Sequence, residues 1–271
     1  KLRSLRPDLT VPEVRGAGEW KLFTKMARKG VDWSDETSRW HPDFCREVDM
    51  TRERKLFRQR PGRDLLPLIE GRMVQQHRFG AKAYVAGTGR RAEWEALPIG
   101  CAAVAPQFWI AKQDLPGRAA DRAKAVRAGF CDIAGQTNER SMMAAVIPAG
   151  VACGNKVPTV VFPALEDDAL HLWCGMVNSL AFDWLLRRIL TTTVNYFLLQ
   201  SVPLPAIDPK SLPGRRIIEA VKEIAKLDTA RGTQGIAWRI AELRGRIDVA
   251  CFKAYGVDAA DVSVIMNDFL S

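Results

Sequence analysis

A chain of 271 residues with 47% hydrophobic side chains holds ample material for one large domain or two small ones. Its six cysteines (45, 101, 131, 153, 174 and 251) form no C-x-x-C pair and there are only three histidines, which argues against a zinc module and for small core residues in a reducing compartment. The formal charge of +9 and pI near 9.4 put nucleic acid first among partners, and +8 of that charge falls in residues 1–207.

Taken in chain order, Lys1–Gly30 reads as basic and irregular, with Trp20, Leu22, Phe23 and Met26 available to pack on a body. The chain opens on Lys1 rather than Met, as a piece of a larger protein would, and without a signal-peptide pattern. Phe44–Met50 reads as a strand. Thr51–Arg63 carries six Arg/Lys against one Glu, either a solvated loop or a phosphate-contacting one; Arg54, Arg58, Arg60 and Arg63 are its phosphate candidates. The segment GRMVQQHRFGAK then offers Arg72, Gln75, Gln76, His77, Arg78 and Lys82 as possible readers of base edges, since Arg pairs bidentately with guanine and Gln with adenine. Gly16–Gly18 and Gly87–Gly89 lack a full dinucleotide fingerprint and read as turns.

Gly100–Ile110 is a strand candidate whose Pro106 assigns it to an edge or bulge, and Asp114–Arg127 is a helix-prone connection. The organising stretch runs from Gly129 to Pro205. Ser141–Ile147 ends at a Pro-Ala-Gly turn, and Thr159–Phe162 is a short β-branched run closed by Pro163. Leu170, Trp173, Val177, Leu180 and Trp184 fall at helical spacing, which predicts one long helix over 170–190. That helix carries His171, Asn178, Asp183, Arg187 and Arg188, too polar a set to span a membrane. Around the strands, Asn138, Arg140, Asn155 and Lys156 form a second group of DNA-reading candidates. Thr137–Arg140 also fits a structural turn in which Arg140 pairs internally. Pro209–Gly214 reads as a linker. Beyond it, three helices are marked by Ile217/Val221/Ile224, by Ile236 through Ala254 closed at Gly256, and by Val262/Ile265/Phe269 behind an Asp258 cap.

Several of these phrases carry a resemblance. IAGQTNERSMMAAVIPAGV (133–151), GMVNSLAFDWLLR (175–187), the Q-x-x-P-L-P exit at Gln200–Pro205 and AELRGRIDVACFKAYGVDAADVSVIMNDF (241–269) are similar to the target-recognition region of adenine-specific DNA methyltransferases. The closest form is that of type IIG restriction–modification enzymes and their phage-defence relatives. The GRMVQQHRFG segment resembles the same family but departs from it at His77-Arg78-Phe79, where the family tends to have an Asp. The resemblance implies an α/β fold: a twisted mixed β-sheet crossed by a long helix, with an α-helical C-terminal subdomain. The change of character after Pro205 divides the chain into residues 1–207, which the resemblance makes a DNA target-recognition domain, and a helical subdomain over 208–271. The resemblance implies double-stranded DNA as partner, together with a methyltransferase catalytic domain or subunit, in the bacterial cytoplasm, with no membrane partner.

The chain contains no Pro-Pro dipeptide, so the catalytic Asn/Asp-Pro-Pro-aromatic loop is absent, as is a Gly-rich cofactor loop. The expectation is a recognition part without its own catalysis, with S-adenosylmethionine bound by the catalytic part of the parent enzyme and no cofactor or metal here. Two other readings compete: a protein-interaction module of a defence complex, and a magnesium-dependent nuclease built on Asp43, Glu53 and Lys55. His41, His77 and His171 have no nucleophile elbow beside them, and His171 reads as structural.

Overall fold

The computed structural model describes residues 11–135, 138–231 and 234–269. The fold is α/β, with its strands distributed over several small sheets rather than one. The first helix, α1 (Ala17–Lys29), buries Leu22, Phe23 and Met26 and begins in the stretch that reads as irregular; Lys1–Thr10 lie outside the described residues. Gly16 and Gly18 suppress helix propensity locally, while the spacing of those three apolar side chains restores one buried face.

A four-stranded antiparallel sheet is the frame. It comprises β1 (Asp43–Cys45), β8 (Arg127–Phe130), β9 (Ala144–Ile147) and β11 (Thr159–Val161), in the order β1-β11-β8-β9. The strand expected over Phe44–Met50 is therefore short, continuing only as an isolated bridge from Val48 to Gly154. A second sheet joins β2 (Leu65–Ile69), β7 (Phe108–Ala111) and β10 (Ala152–Cys153), with β7 at its edge just after Pro106. Two hairpins complete the β structure: β3 (Val74–Gln75) with β4 (Arg78–Phe79), and β5 (Lys82–Ala86) with β6 (Glu93–Ala96). Between β7 and β8, a 3-10 turn over Lys112–Asp114 precedes one short α-helix, α2 (Ala119–Lys124).

Glu47 and Arg127 tie the two sheets together. Both side chains are fully buried, and they pair at 2.7 and 2.8 Å. Glu47 also accepts from the Cys153 amide (2.8 Å) and the Thr159 hydroxyl (3.0 Å), while Arg127 donates to the Pro148 and Val151 carbonyls. Every strong donor of the pair thus has an acceptor, which a buried ion pair requires.

The long helix is two: α3 (Asp168–Val177) and α4 (Leu180–Arg187). Asn178 and Ser179 make the break. The Ser179 hydroxyl accepts from the Phe182 amide as the cap of α4, and the Asn178 side chain bonds both polar groups of Ala144 on β9 (3.0 and 2.8 Å). The helix pair thereby docks on the sheet by a side chain acting as a strand partner. Trp173, Trp184, Phe182 and Met176 fill the core beneath.

After the short helix α5 (Tyr196–Gln200), the C-terminal helices are α6 (Leu212–Leu227), α7 (Ile236–Ala254) and α8 (Ala259–Met266). Ser211 caps α6, so the expected linker is mostly its first turn. Asp258 and Asp261 form a reciprocal capping box on α8. Helix α6 packs on α3 so closely that a Cβ on Gly175 would stand 2.3 Å from Ile217. One apolar core runs from Leu22 through Trp173 and Trp184 to Ile265, crossing residue 207 without interruption. All six cysteines are free, four of them buried. Among the described residues no helix is long and apolar enough to cross a membrane.

Candidate nucleic-acid interface

The polar residues singled out in the sequence divide into those spent inside the fold and those left at the surface. Gln76, His77 and Arg78 belong to the first group. They turn the β3–β4 hairpin, with His77 in the left-handed region (φ 58). Gln76 donates to the Asn178 carbonyl at 3.0 Å, the His77 amide to Ala144 at 2.8 Å, and Arg78 to Asp228 at 2.7 Å and to the Leu97 and Pro98 carbonyls. All three side chains are buried. Burial, then the neighbouring Arg244 and Arg140, hold the His77 pKa well below its usual value. The structure thus places all three inside the fold with protein partners, away from a surface where base edges are read.

Arg140 has the internal partners that the structural-turn alternative requires. Its Nε donates to Asp183 (2.7 Å), its Nη2 donates to the Asn178 carbonyl (2.6 Å), and its guanidinium lies over Phe269. Asp183, fully buried, also accepts from the Ser141 and Met142 amides. Asn138 is exposed, but its carbonyl accepts from Arg187 at 2.6 Å. The turn therefore stands on α4; Gln136 and Thr137 lie outside the described residues.

The second group remains in water. Arg54 lies over the Phe108 ring (5.4 Å), and Arg58 pairs its backbone with Trp109, so this basic segment has an ordered frame on β7. Arg60 and Arg63 are exposed; Gln75 and Lys82 are half-buried. Arg72 lies over Trp94 at 5.0 Å. Burial pushes the Glu70 carboxyl up, opposed by the charges of Arg72 and Arg54, which places both cations around one carboxylate.

Glu70 leads directly into a second acidic anchor. Gly71 abuts Cys131 and the Lys156 backbone, and Asp132 follows. The Asp132 carboxylate receives Arg46 at 3.0 Å and lies 3.6 Å from the Lys156 ammonium; its amide donates to the Lys156 carbonyl. Arg46 also donates to the Asn155 carbonyl and lies over Tyr196 at 5.3 Å. Arg54 and Arg72 thus lie around Glu70, and Arg46, Lys156 and the Asn155 carbonyl gather at the buried Asp132, the two groups meeting where Gly71 abuts Cys131 and Lys156. Among the described residues, Glu70 Oε1 and Asp132 Oδ1 have no hydrogen-bond partner. Ile133 and Phe197 project from the same region, 56% and 86% exposed. Sequence reading missed Arg46, Glu70, Asp132, Ile133, Tyr196 and Phe197. Only the fold reveals that Phe197, within the apolar run VNYFLL, faces out.

The nuclease pattern does not assemble. Asp43 on β1 is held by Arg118 and Arg122, whereas Glu53 turns back onto the Asp49 amide. Among the described residues no three His, Cys, Asp or Glu side chains converge as a metal site. Elsewhere, α6 and α7 flank an open groove of about 1320 Å³ lined by Ile217, Ala220, Leu243, Ile247 and Val249. No family model and no curated protein matches the chain.

Proposed function

We propose that the chain is a double-stranded DNA recognition domain, the target-recognition part of an N6-adenine DNA methyltransferase of the type IIG or phage-defence kind, working in the bacterial cytoplasm. The carrying observation is the face around Glu70 and Asp132. It combines cations for phosphates (Arg54, Arg72, Lys156), set in place around the Glu70 carboxylate and the buried Asp132 carboxylate, with exposed apolar side chains. The resemblance of residues 133–205 and 241–269 to such domains supports the same reading. Methyl transfer and S-adenosylmethionine binding belong to a catalytic part whose loop this sequence lacks. The domain's contribution is to hold the duplex in register while the adenine is extruded into that part.

Selection from a randomised duplex pool, with sequencing of the bound fraction, tests this reading. An enriched motif is expected. A protein that retains no duplex at low salt refutes it.

A second reading, a protein-docking module, is favoured by the α6–α7 groove, whose apolar floor is open. Binding of a protein partner that is insensitive to salt, without DNA binding, would select it.

A further inference from the structure

Phe197 is the most exposed large apolar side chain among the described residues. It is nonetheless firmly mounted. Its neighbour Tyr196 stacks on Phe44 (4.4 Å) and lies beneath the Arg46 guanidinium. The Asn195 side chain caps the helix, accepting from the Leu198 amide at 2.8 Å. Just upstream, the Val194 amide donates to the Asp132 carbonyl at 2.8 Å, and Thr193 bridges to Ile133. The two apolar side chains are thus carried on adjoining segments of ordered backbone.

A single exposed phenyl ring on a protein surface needs no explanation by itself. This one follows Tyr196, whose ring lies beneath Arg46, and both Arg46 and Lys156 pair with Asp132 on the segment to which Val194 is bonded. Positive charge selects a polyanion, and a ring with a free face selects a planar partner. A nucleic-acid base within a duplex supplies both.

We propose that Phe197, with Ile133 exposed on the adjoining segment, is an apolar wedge that enters a base step of the bound duplex and stacks on the base it uncovers. The inference rests on the DNA-recognition reading and adds residues absent from the sequence-derived candidates. Opening a step requires unstacking, so a duplex whose stack is already interrupted should bind more tightly. Neutralisation by Arg46 and Lys156 keeps the opened strand close.

The test is fluorescence anisotropy of the full chain with a fluorescein-labelled duplex and with the same duplex carrying one central abasic site, at several salt concentrations. The wild-type protein is expected to prefer the abasic duplex by about tenfold, the scale of one lost stacking contact. Phe197→Ser should abolish that preference and weaken binding roughly fivefold or more. Its dependence of log K on log salt should stay that of the wild type, because no phosphate contact is removed. Phe197→Trp should keep the preference. Both variants should melt as the wild type does, since the ring packs on little. A Phe197→Ser protein that binds both duplexes as the wild type does overturns the wedge and leaves DNA recognition standing. Absence of salt-dependent duplex binding by the wild type overturns both.

Discussion

Asp183 is the residue whose replacement tests most sharply how the turn before β9 is held on α4. It is fully buried, accepts from the Ser141 amide (3.2 Å) and the Met142 amide (3.1 Å), and pairs with Arg140 at 2.7 Å; the Arg187 guanidinium lies 3.9 Å away. In Asp183→Ala, two buried amides lose their acceptor, at about 1–3 kcal/mol each if left unmet. Arg140 loses its counter-charge, and breaking a buried pair from one side costs about 3–5 kcal/mol. These costs overlap, because admitted water serves several groups at once, so about 4 kcal/mol in total is the expected loss. Asp183→Asn keeps the shape and one acceptor but turns an NH2 group towards donors, and should cost about 2 kcal/mol. Urea unfolding followed by tryptophan fluorescence measures both, with Trp173 and Trp184 as buried reporters. An Asp183→Ala loss below about 1 kcal/mol would refute the view that this carboxylate anchors the turn.

Other consequences are open to measurement. Glu47→Leu should destabilise by about 3–5 kcal/mol by stranding the Arg127 charge, whereas Glu47→Leu with Arg127→Met should lose clearly less; equal losses in urea unfolding would contradict the pairing. Asp248 accepts from the Leu180 amide, and burial pushes its carboxyl up to about 6. Between about pH 4 and pH 6 the native state therefore holds a proton that the unfolded chain has released, and stability falls as pH rises through that window. Asp248→Asn should gain about 2 kcal/mol relative to wild type on going from about pH 4 to pH 7.5, and a pH-independent difference would refute this. His77 works in the opposite direction. Its pKa is depressed, so the stability it contributes is present above its unfolded value and is lost as pH falls below about 6.5. His77→Asn, which tolerates the left-handed backbone, should flatten that acid-side loss in melting curves; an unchanged profile would show that another group titrates.

The C-terminal helices were legible in the sequence because their signals are local: apolar residues at helical spacing and an Asp258 cap immediately before α8. Strands β9 and β11 lie within the stretches that their apolar runs and turn residues marked out, whereas β8 begins at Arg127, where the sequence reads as a helix-prone connection. The break at Asn178 was hidden, since Leu180 and Trp184 continue the periodicity of α3, and only the contact with Ala144 shows why the helix stops. Which of the polar candidates stay at the surface was not legible in the sequence. Gln76 and Arg78 read as loop donors, yet their partners lie 102 and 150 positions away in the chain. A local reading has no access to such distances. Arg54, Arg72 and Lys156 remained outward, while Arg46 and Asp132 became visible only when two strands and the α5 segment met.

The central claim is that the face around Glu70 and Asp132 meets the phosphates of a duplex, and the dependence of duplex affinity on salt tests it most directly. For wild type and an Arg54→Gln, Arg72→Gln, Lys156→Gln triple variant, log K would be followed against log salt. Each lost phosphate contact lowers the slope by about 0.9, so a decrease of about 2 to 3 is expected, with weaker binding at every salt concentration. Equal slopes and equal affinities for the two proteins would contradict the account.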